Sequence, residues 1–294
     1  HGPQGARRAR RSNRHLFSRY AGFISYLCAP MKRREVEMLW KPGKIELLAP
    51  ARDLRSARAA IDCGADAVYM GGPRFGARQA AGNSVADIAA VAEYARRFGV
   101  RVYVTLNTLL FDDELADAER IARQVVEAGA DALIVQDMAY LEMELEGVEL
   151  HASTQTFNAS PEKAAFLADC GFSRVILERN LSLEEIRRIR AATDVELECF
   201  VHGAICVCYS GRCYMSRTMS PRSGNRGDCM QACRLPYDLL DAAGNVLMAG
   251  KHLLSVRDMD LSGRLGDLLD AGVTSFKIEG RLKDEAYVRN VVAW

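Results

Sequence analysis

The chain has 294 residues, of which 49% are apolar and 26% are charged, and its formal net charge at pH 7 is +1. This composition is typical of a globular protein with a large buried core, arranged as one large domain or two small ones. No run of 18 or more uncharged apolar residues occurs, which argues against a transmembrane helix. We therefore expect a soluble protein that does not bind membranes.

The first 34 residues differ from the rest in charge. They contain nine Lys or Arg and no acidic residue, whereas residues 35–294 contain 30 basic and 38 acidic residues, a net charge of −8. Such a segment weakly resembles a secretory signal or an organelle transit peptide. Our interpretation is that residues 1–40 form a basic, disordered leader and that translation starts at Met31.

A helical stretch, a Cys-Gly or Ala-Gly step and a short β-rich run recur along the chain, as in "AIDCGADAVYMGG", "VVEAGADALIVQD" and "LLDAGVTSFKIEG". Glycine just past a helix adopts the left-handed conformation that ends it, and the apolar run is typical of a buried parallel strand. The pattern predicts eight strands, at 44–49, 66–71, 100–106, 131–136, 148–152, 174–178, 195–201 and 274–279. It favours an α/β fold, a (β/α)₈ TIM-type barrel spanning residues 41–294, with a doubly wound open sheet as the alternative.

Five residues occupy positions where a helix N-cap is expected: Asp53, Ser84, Asp112, Ser160 and Ser182. The connection between strands seven and eight, from about 203 to 273, is far longer than the others, and long connections in a compact domain are usually functional. It contains the Cys- and Arg-rich stretch 206–234 and a predicted β-hairpin in 237–256 around an Ala-Gly-Asn turn.

Polar side chains collect at the carboxyl ends of the predicted strands, where a barrel enzyme has its active site. Any one of them can simply cap a loop, but a set of ten predicts a pocket. The set is Tyr69, Asn107, Gln136, Asp137, His151, Gln155, Glu178, His202, Lys277 and Glu279.

The nine cysteines, without a convincing export signal, indicate a reducing compartment, and we expect a cytoplasmic location. Four of them, Cys206, Cys213, Cys229 and Cys233, have the ligand types of a zinc ion or an iron-sulfur cluster. The six-residue gap between the first two fits a [4Fe-4S] cluster better than zinc knuckles. Cys208 is expected to point elsewhere, and the five arginines of the stretch either offset the charge of a cluster or bind phosphate.

The segments "HGAICVCYSGRCYMS", "NRGDCMQACR" and "FKIEGRLK", with "ELLAPA" and "HASTQ", resemble the U32 peptidase family, also called collagenase-like proteases, over about residues 44–294. The resemblance implies a [4Fe-4S] cluster on the four cysteines, which match the family pattern one by one. It also implies hydroxylation of RNA or of a quinone precursor. The segment "SVRDMDL" lacks the cysteine that some members use as a ligand, which favours the branch that forms 5-hydroxyuridine in tRNA with prephenate as hydroxyl donor.

Three functions follow as hypotheses. The first is an RNA hydroxylation enzyme with tRNA as partner, in which Lys277, His202 and Arg281 would hold the anionic donor. The second is a peptidase, for which the sequence has neither an HExxH nor a GxSxG motif but could offer Cys208 with His202. The third is a zinc-stapled barrel without catalytic activity. Family members often carry a further C-terminal β domain, so we expect this chain to be truncated before one.

Overall fold

In the computed structural model, residues 45–294 are described, apart from the side chain of Gln79. The predicted leader 1–40, with Met31, and the first residue of the predicted strand 44–49 lie outside the described residues. Eight parallel strands form a closed barrel in which β6 pairs with β7 and β11 with β1, so the open sheet is excluded. The barrel strands are β1 (Glu46–Pro50), β2 (Ala67–Gly71), β3 (Arg101–Leu106), β4 (Ala132–Val135), β5 (Glu149–Ala152), β6 (Arg174–Ile176), β7 (Glu196–Gly203) and β11 (Ser275–Ile278).

Helices follow most of the strands and surround the barrel. Within residues 45–294 they are α1 (Leu54–Asp62), α2 (Val85–Arg96), α3 (Leu115–Glu127), α4 (Pro161–Asp169), α5 (Leu183–Ala192), α6 (Met215–Met219), α7 (Leu265–Asp270) and α8 (Glu285–Ala293). The connection from β4 to β5 contains only a 3₁₀ turn, Met138–Leu141. The fold is therefore the predicted TIM-type barrel with one shortened connection.

Four of the five predicted helix caps are confirmed, because Asp53, Ser84, Ser160 and Ser182 each accept a backbone N–H of the first turn. The prediction for Asp112 is wrong. The chain enters α3 through a 3₁₀ turn that starts at Asp112, and the carboxylate that binds the free backbone N–H of Phe111 belongs to Glu114, at 2.9 Å.

The long connection between β7 and β11 lies at the carboxyl end of the barrel. It contains α6, the hairpin of β8 (Tyr237–Leu240) and β9 (Val246–Lys251), the short strand β10 (Met259–Asp260) and α7. The hairpin forms within the predicted range, and β10 adds antiparallel to the end of β7. None of the helices in the described part of the chain is both long and apolar enough to cross a bilayer.

The inside of the barrel has an apolar layer and, towards the amino ends of the strands, an ionic layer. The apolar layer consists of Leu48, Ala67, Tyr69, Tyr103, Ala132, Ile134, Ile176 and Phe200. In the ionic layer the fully buried guanidinium of Arg174 contacts Glu46 at 2.6 Å, Glu196 at 2.8 Å and Glu198 at 3.0 Å. Burial alone would raise the pKa of Glu46, but Arg174 and Arg101 hold it far below its usual value. The charges are thus paired, as buried charges must be.

We predict that Arg174→Gln lowers the free energy of unfolding by about 3–5 kcal/mol, because it leaves buried carboxylates without their partner. Urea denaturation followed by circular dichroism measures the loss. Arg97→Gln is the matched control, since Arg97 forms an exposed ion pair with Glu93 at 3.1 Å and such pairs contribute about 1 kcal/mol or less. Equal losses in the two variants would contradict a structural role for the ionic layer.

Candidate active site

A cavity of about 330 Å³ opens at the carboxyl ends of the barrel strands, beneath the long connection. Strand ends supply the floor, with Tyr69, Thr105, Asn107, Lys277 and Glu279 among its lining residues. The Cys-rich segment supplies the opposite wall, and all five of its cysteines line the cavity: Cys206, Cys208, Cys213, Cys229 and Cys233. The cavity is where the sequence predicted a pocket.

Four cations and one carboxylate face this cavity. The cations are Arg78, Arg179, Lys277 and Arg281, and the carboxylate is Glu279. Arg179 Nη2 donates to Glu279 Oε2 at 2.9 Å. Burial would raise the pKa of Glu279, but the four surrounding cations lower it below its usual value. The cavity therefore carries a surplus of positive charge, which suits an anionic ligand.

Lys277 connects the cavity floor to the ionic layer. Its Nζ donates to Glu198 Oε1 at 2.8 Å, and Glu198 also contacts Arg174. The ammonium group lies 4.3 Å from the ring centre of Tyr69, a distance typical of a cation–π contact. Burial lowers the pKa of Lys277, and Glu198 opposes this effect. The glutamate thus favours the charged form of a lysine that has almost no access to solvent.

Arg281 is almost as deeply buried as Lys277. Its Nη1 donates to Thr105 Oγ1 at 2.6 Å, while its Nε is buried without a hydrogen-bond partner in the described structure. Burial lowers the pKa of this guanidinium. A buried N–H without an acceptor is costly, so Arg281 has unused capacity to bind a ligand oxygen.

Ser210 fixes the Cys-rich segment to the end of β6. Glu178 accepts hydrogen bonds from the Ser210 backbone N–H at 3.0 Å and from its hydroxyl at 3.2 Å. Arg179 Nη1 donates to Ser210 Oγ at 3.1 Å and also binds Glu279. The Cys-rich segment 206–234 forms the cover of the cavity. Glu178 and Arg179, which follow β6, therefore hold this cover, and Arg179 also binds Glu279 of the floor.

Gly211 packs directly on the β5 connection. Its φ of +70° is left-handed, and a Cβ at this position would lie 1.9 Å from the carbonyl oxygen of Gln155. Only glycine satisfies both the conformation and the contact. The loop between Cys206 and Cys213 thus depends on a residue without a side chain.

Arg234 brings the two ends of the Cys-rich segment together. It follows Cys233, and its Nη2 donates to the carbonyl oxygen of Ile205, which precedes Cys206, at 2.7 Å. Its Nη1 donates to Ser255 Oγ at 2.8 Å and to the Val256 carbonyl at 2.6 Å. These bonds close a loop of irregular structure whose ends carry the first and last cysteines.

The sulfur atoms have a polar environment. Cys229 Sγ accepts a hydrogen bond from the Gln231 backbone N–H at 3.3 Å and faces the Ser216 hydroxyl at 3.9 Å. Gln231 adopts a left-handed φ of 55°, which is unusual for a residue other than glycine. N–H donors directed at sulfur are a feature of thiolate-ligated metal centres.

Arg78, a cation from outside the Cys-rich segment, also interacts with these thiols. Burial would lower the pKa of Arg78, but Glu279 and the sulfurs of Cys206 and Cys229 raise it. Burial raises the pKa of Cys233, and the nearby Cys206, Cys229 and Cys213 contribute. The four cysteines therefore share one electrostatic environment.

The described residues contain no group of three His, Cys, Asp or Glu side chains arranged to hold a single metal ion. A [4Fe-4S] cluster binds each thiolate through a different iron, so its ligands stand farther apart than those of one zinc ion. Four thiols that line one cavity, with an N–H donor to Cys229 and a nearby arginine, form a donor set that fits such a cluster.

Cys208 differs from its prediction. Its side chain forms a hydrogen bond with Cys213, and burial followed by the charge of Cys213 raises its pKa. Its Sγ lies 3.8 Å from the Arg212 carbonyl oxygen. The expectation that Cys208 points elsewhere is wrong, because its side chain lines the cavity beside Cys213.

Most arginines of the segment have structural contacts. Arg226 binds Glu114 at 2.5 Å and Arg222 binds Asp228 at 2.8 Å, while Arg234 binds backbone carbonyls. Arg78, from the β2–α2 connection, adds a cation beside the thiols from outside the segment. Arg212 and Arg217 have no carboxylate partner in the described structure.

Of the predicted pocket residues, six line the cavity: Tyr69, Asn107, Gln155, Lys277, Glu279 and Arg281. Asn107 is held by two bonds, since its Oδ1 accepts from the Ala77 N–H and its Nδ2 donates to Ser153 Oγ, both at 2.9 Å. Gln155 contributes its backbone carbonyl, which accepts from Gln136 at 3.2 Å.

Five predicted residues do not line the cavity: Gln136, Asp137, His151, Glu178 and His202. Asp137 caps the turn Met138–Leu141, and Glu178 holds Ser210. His202 Nδ1 lies 3.0 Å from the Tyr287 hydroxyl. His151 lies in the ionic layer below, where its Nε2 is 3.2 Å from Glu149 and its ring packs on Tyr103. Strand alternation and depth, which the sequence does not fix, decide these placements.

Arg78 and Arg179 line the cavity but were not among the residues predicted from the sequence. Arg179 follows directly after the predicted strand 174–178, so its position in the chain could have identified it. Arg78 lies in the irregular connection "GGPRFGARQAAGN", where no periodicity indicates its direction. Arg78 reaches the cavity because the barrel is closed: β2, which precedes Arg78, and β11, which carries Lys277, both pair with β1.

Comparison with known proteins identifies the relatives of this barrel. The family model described as "Peptidase family U32" matches residues 52–294. The chain belongs to the peptidase U32 family. A solved U32 structure, the U32 peptidase Mk0906, superposes with a TM-score of 0.52 at 16% identity and covers 83% of this chain and 96% of that one. This likeness supports the barrel fold.

Two curated U32 relatives carry functional names. The chain is 56% identical over 250 residues to the 23S rRNA 5-hydroxycytidine C2501 synthase of Escherichia coli, covering 85% of this chain and 38% of the relative. It is 37% identical over 260 residues to tRNA hydroxylation protein P1 of Bacillus subtilis, covering 85% of this chain and 62% of the relative. The chain thus spans less than two thirds of each of these U32 proteins.

We predict that Gly211→Ala displaces the loop between Cys206 and Cys213, because the added Cβ collides with the Gln155 carbonyl. Limited proteolysis should then cleave residues 204–215 faster than in the unaltered U32 chain. Gly244→Ala is the matched control, since Gly244 has a similar φ of +86° but open space around its Cβ position. Equal cleavage of the loop in both variants would show that the contact does not hold it.

We predict that His151→Gln reduces the loss of stability on acidification. Burial lowers the pKa of His151 to about 4 from its usual 6.5, so its contribution to stability is present above pH 6.5 and is lost as the pH falls towards 4. Relative to the variant, the wild type should lose about 2 kcal/mol of unfolding free energy between pH 6.5 and 4.5.

Denaturation at several pH values tests this prediction. Glu196 acts in the opposite direction, since burial raises its pKa to about 7 and its contribution is lost as the pH rises through that value. The comparison with His151→Gln removes this background, because both proteins retain Glu196. Parallel slopes for wild type and His151→Gln would contradict the prediction.

Proposed function

We propose that the chain is the barrel part of an enzyme that hydroxylates a pyrimidine base of RNA with the aid of an iron-sulfur cluster. The observation that carries the proposal is the cavity itself, in which a cationic floor faces a wall of cysteines. The 56% identity to an rRNA 5-hydroxycytidine synthase supports the same function. A barrel that only serves as a scaffold would need neither the cationic floor nor the wall of cysteines.

Cys206, Cys213, Cys229 and Cys233 would hold the [4Fe-4S] cluster. When bound, such a cluster supplies a Lewis acid or a redox centre next to the substrate. The Gln231 N–H would stabilise the thiolate of Cys229, and Arg78 would offset negative charge. Arg234 keeps the first and last ligands close, so the chain is arranged for the cluster before it binds.

The cationic floor would bind a small anionic hydroxyl donor, of which prephenate is our candidate. Arg281 offers an N–H that has no partner in the described structure, and Lys277 offers a charged ammonium. Arg179 binds both Glu279 and Ser210 of the Cys-rich segment. A carboxylate matches guanidinium geometry in two hydrogen bonds. His202 is no longer a candidate for this role, because it binds Tyr287 and does not line the cavity.

For the RNA substrate, a cytidine of 23S rRNA is our first candidate and a uridine of tRNA the second. The identity to the rRNA enzyme exceeds that to the tRNA protein, 56% against 37%, which reverses the order expected from the motifs alone. In either RNA the base must leave its stack to enter the cavity, and this is easiest in a single-stranded loop. A cytoplasmic location is part of the same proposal.

Two alternatives have less support. A peptidase would need an activated nucleophile, but Cys208 contacts Cys213 and His202 contacts Tyr287 instead of each other. A zinc-stapled scaffold would not require the four cations in the cavity. The scaffold remains an outcome of the experiments below.

We predict that the protein purified without oxygen is brown, contains about four iron atoms per chain and absorbs near ~400 nm. Cys213→Ala and Cys229→Ala should each abolish the colour and the iron. Cys170→Ala, at the end of α4 and away from the cavity, is the control that should retain both, and Cys208→Ala should retain them as well. Colourless protein with one zinc would refute the cluster and favour the scaffold.

The reaction is tested by the nucleosides of cells that lack the gene. We predict that 5-hydroxycytidine disappears from 23S rRNA and returns with the wild-type gene, but not with Cys213→Ala or Arg281→Gln, since each removes a group of the cavity. Mass spectrometry of rRNA and tRNA digests measures both nucleosides. Loss of 5-hydroxyuridine from tRNA instead would select the second substrate, and unchanged RNA would refute the proposed function.

A further inference from the structure

We infer that the mouth of the cavity carries a stacking platform for the unpaired bases next to the modified nucleotide. It consists of Phe157, Tyr209, Arg212 and Tyr214, which we call the aromatic platform. The inference rests on the proposed function, because it takes RNA as the partner. It adds the surface of this chain that would bind the strand.

The tyrosines of the platform are exposed where a soluble protein has no structural need for exposed rings. Tyr209 is 53% and Tyr214 is 63% exposed, and both line the cavity. They flank Cys213 in the chain, so a base stacked on either ring would lie beside the cysteine wall. Aromatic rings at such a position are typical of proteins that bind single strands.

Phe157 and Arg212 give the platform a fixed geometry. The Phe157 ring meets Tyr209 edge to face, with centres 5.1 Å apart, and the Arg212 guanidinium lies 3.9 Å from the Phe157 ring centre. Phe157 has a left-handed φ of 59°, a conformation that costs free energy for a bulky residue. The guanidinium lies over a ring but has no carboxylate partner in the described structure, so it can reach a phosphate or a base.

Charge around the platform favours a nucleic acid. Residues 35–294 have a net charge of −8, whereas residues 206–234 contain five arginines and one acidic residue. Arg222, Arg226 and Arg234 are used within the protein, which leaves Arg212 and Arg217 on the surface. An RNA strand would thus be attracted to this one region of an otherwise acidic barrel.

The test measures binding of a fluorescent 12-nucleotide single-stranded RNA to the full-length protein by anisotropy. Tyr209→Ala and Tyr214→Ala should each raise Kd roughly 5- to 150-fold, the loss expected when one stacked base is released. Tyr214→Phe should bind as wild type, because stacking does not need the hydroxyl. Arg212→Gln should weaken binding and make it less sensitive to salt.

Phe98→Ala is the matched control. Phe98 is 57% exposed but precedes β3 at the opposite end of the barrel, so its loss should leave Kd unchanged. A duplex of the same length should bind weakly to every variant, and unchanged absorbance near ~400 nm shows that the tyrosine variants keep the cluster. Wild-type affinity in Tyr209→Ala and Tyr214→Ala, or equal losses in Phe98→Ala, would overturn the platform.

A second measurement separates this inference from the proposed function. If the function holds and the platform is wrong, Tyr209→Ala and Tyr214→Ala restore the hydroxylated nucleoside to the deletion strain as fully as wild type. If the platform is right, they restore little of it. If the proposed function fails, no nucleoside depends on the gene, whereas the anisotropy series still tests the platform.

Discussion

The buried charge of Arg174 is the interaction on which the rest of the barrel depends. This residue of β6 reaches across the interior to Glu46 of β1 and sideways to Glu196 and Glu198 of β7, so its pairing requires the sheet to be closed. Glu198 also accepts a hydrogen bond from Lys277 at the floor of the cavity, which extends the network to the ligand site. The core that closes the barrel and the charge that faces the ligand are therefore parts of one hydrogen-bonded system, and neither can change alone.

The cover of the cavity has almost no regular structure of its own and depends on the barrel for its shape. Ser210 is held by the residues that follow β6, Gly211 packs on the β5 connection, and Arg234 binds the carbonyl that precedes Cys206. Each contact fixes a point within two residues of a cysteine. Irregular backbone placed in this way can present thiols in a geometry that neither a helix nor a strand allows, and it leaves aromatic rings exposed at the opening.

Electrostatics divides the molecule into regions with different tasks. The acidic body is unsuited to general binding of RNA, while the cavity has four cations against one carboxylate. Most arginines of the Cys-rich segment hold the protein together, and a residue from elsewhere, Arg78, lies beside the thiols. In our proposal a small anion binds the cations of the floor and the RNA strand binds the aromatic platform at the mouth of the cavity. The two reactants therefore bind separate cationic groups.

The sequence by itself determined the eight strands, four of the helix caps, the hairpin and the cysteines of the cover, because these depend on local periodicity, capping chemistry and spacing. It also placed Asn107, Lys277, Glu279 and Arg281 at the correct end of the barrel. Only the tertiary structure decided which strand-end residues face the cavity. It moved His151 into the ionic layer, gave Glu178 a positioning role, turned Cys208 inward and added Arg78. The physical reason is that depth, tilt and the path of a loop follow from closing the sheet and pairing buried charges, and those constraints join residues that are far apart in the chain.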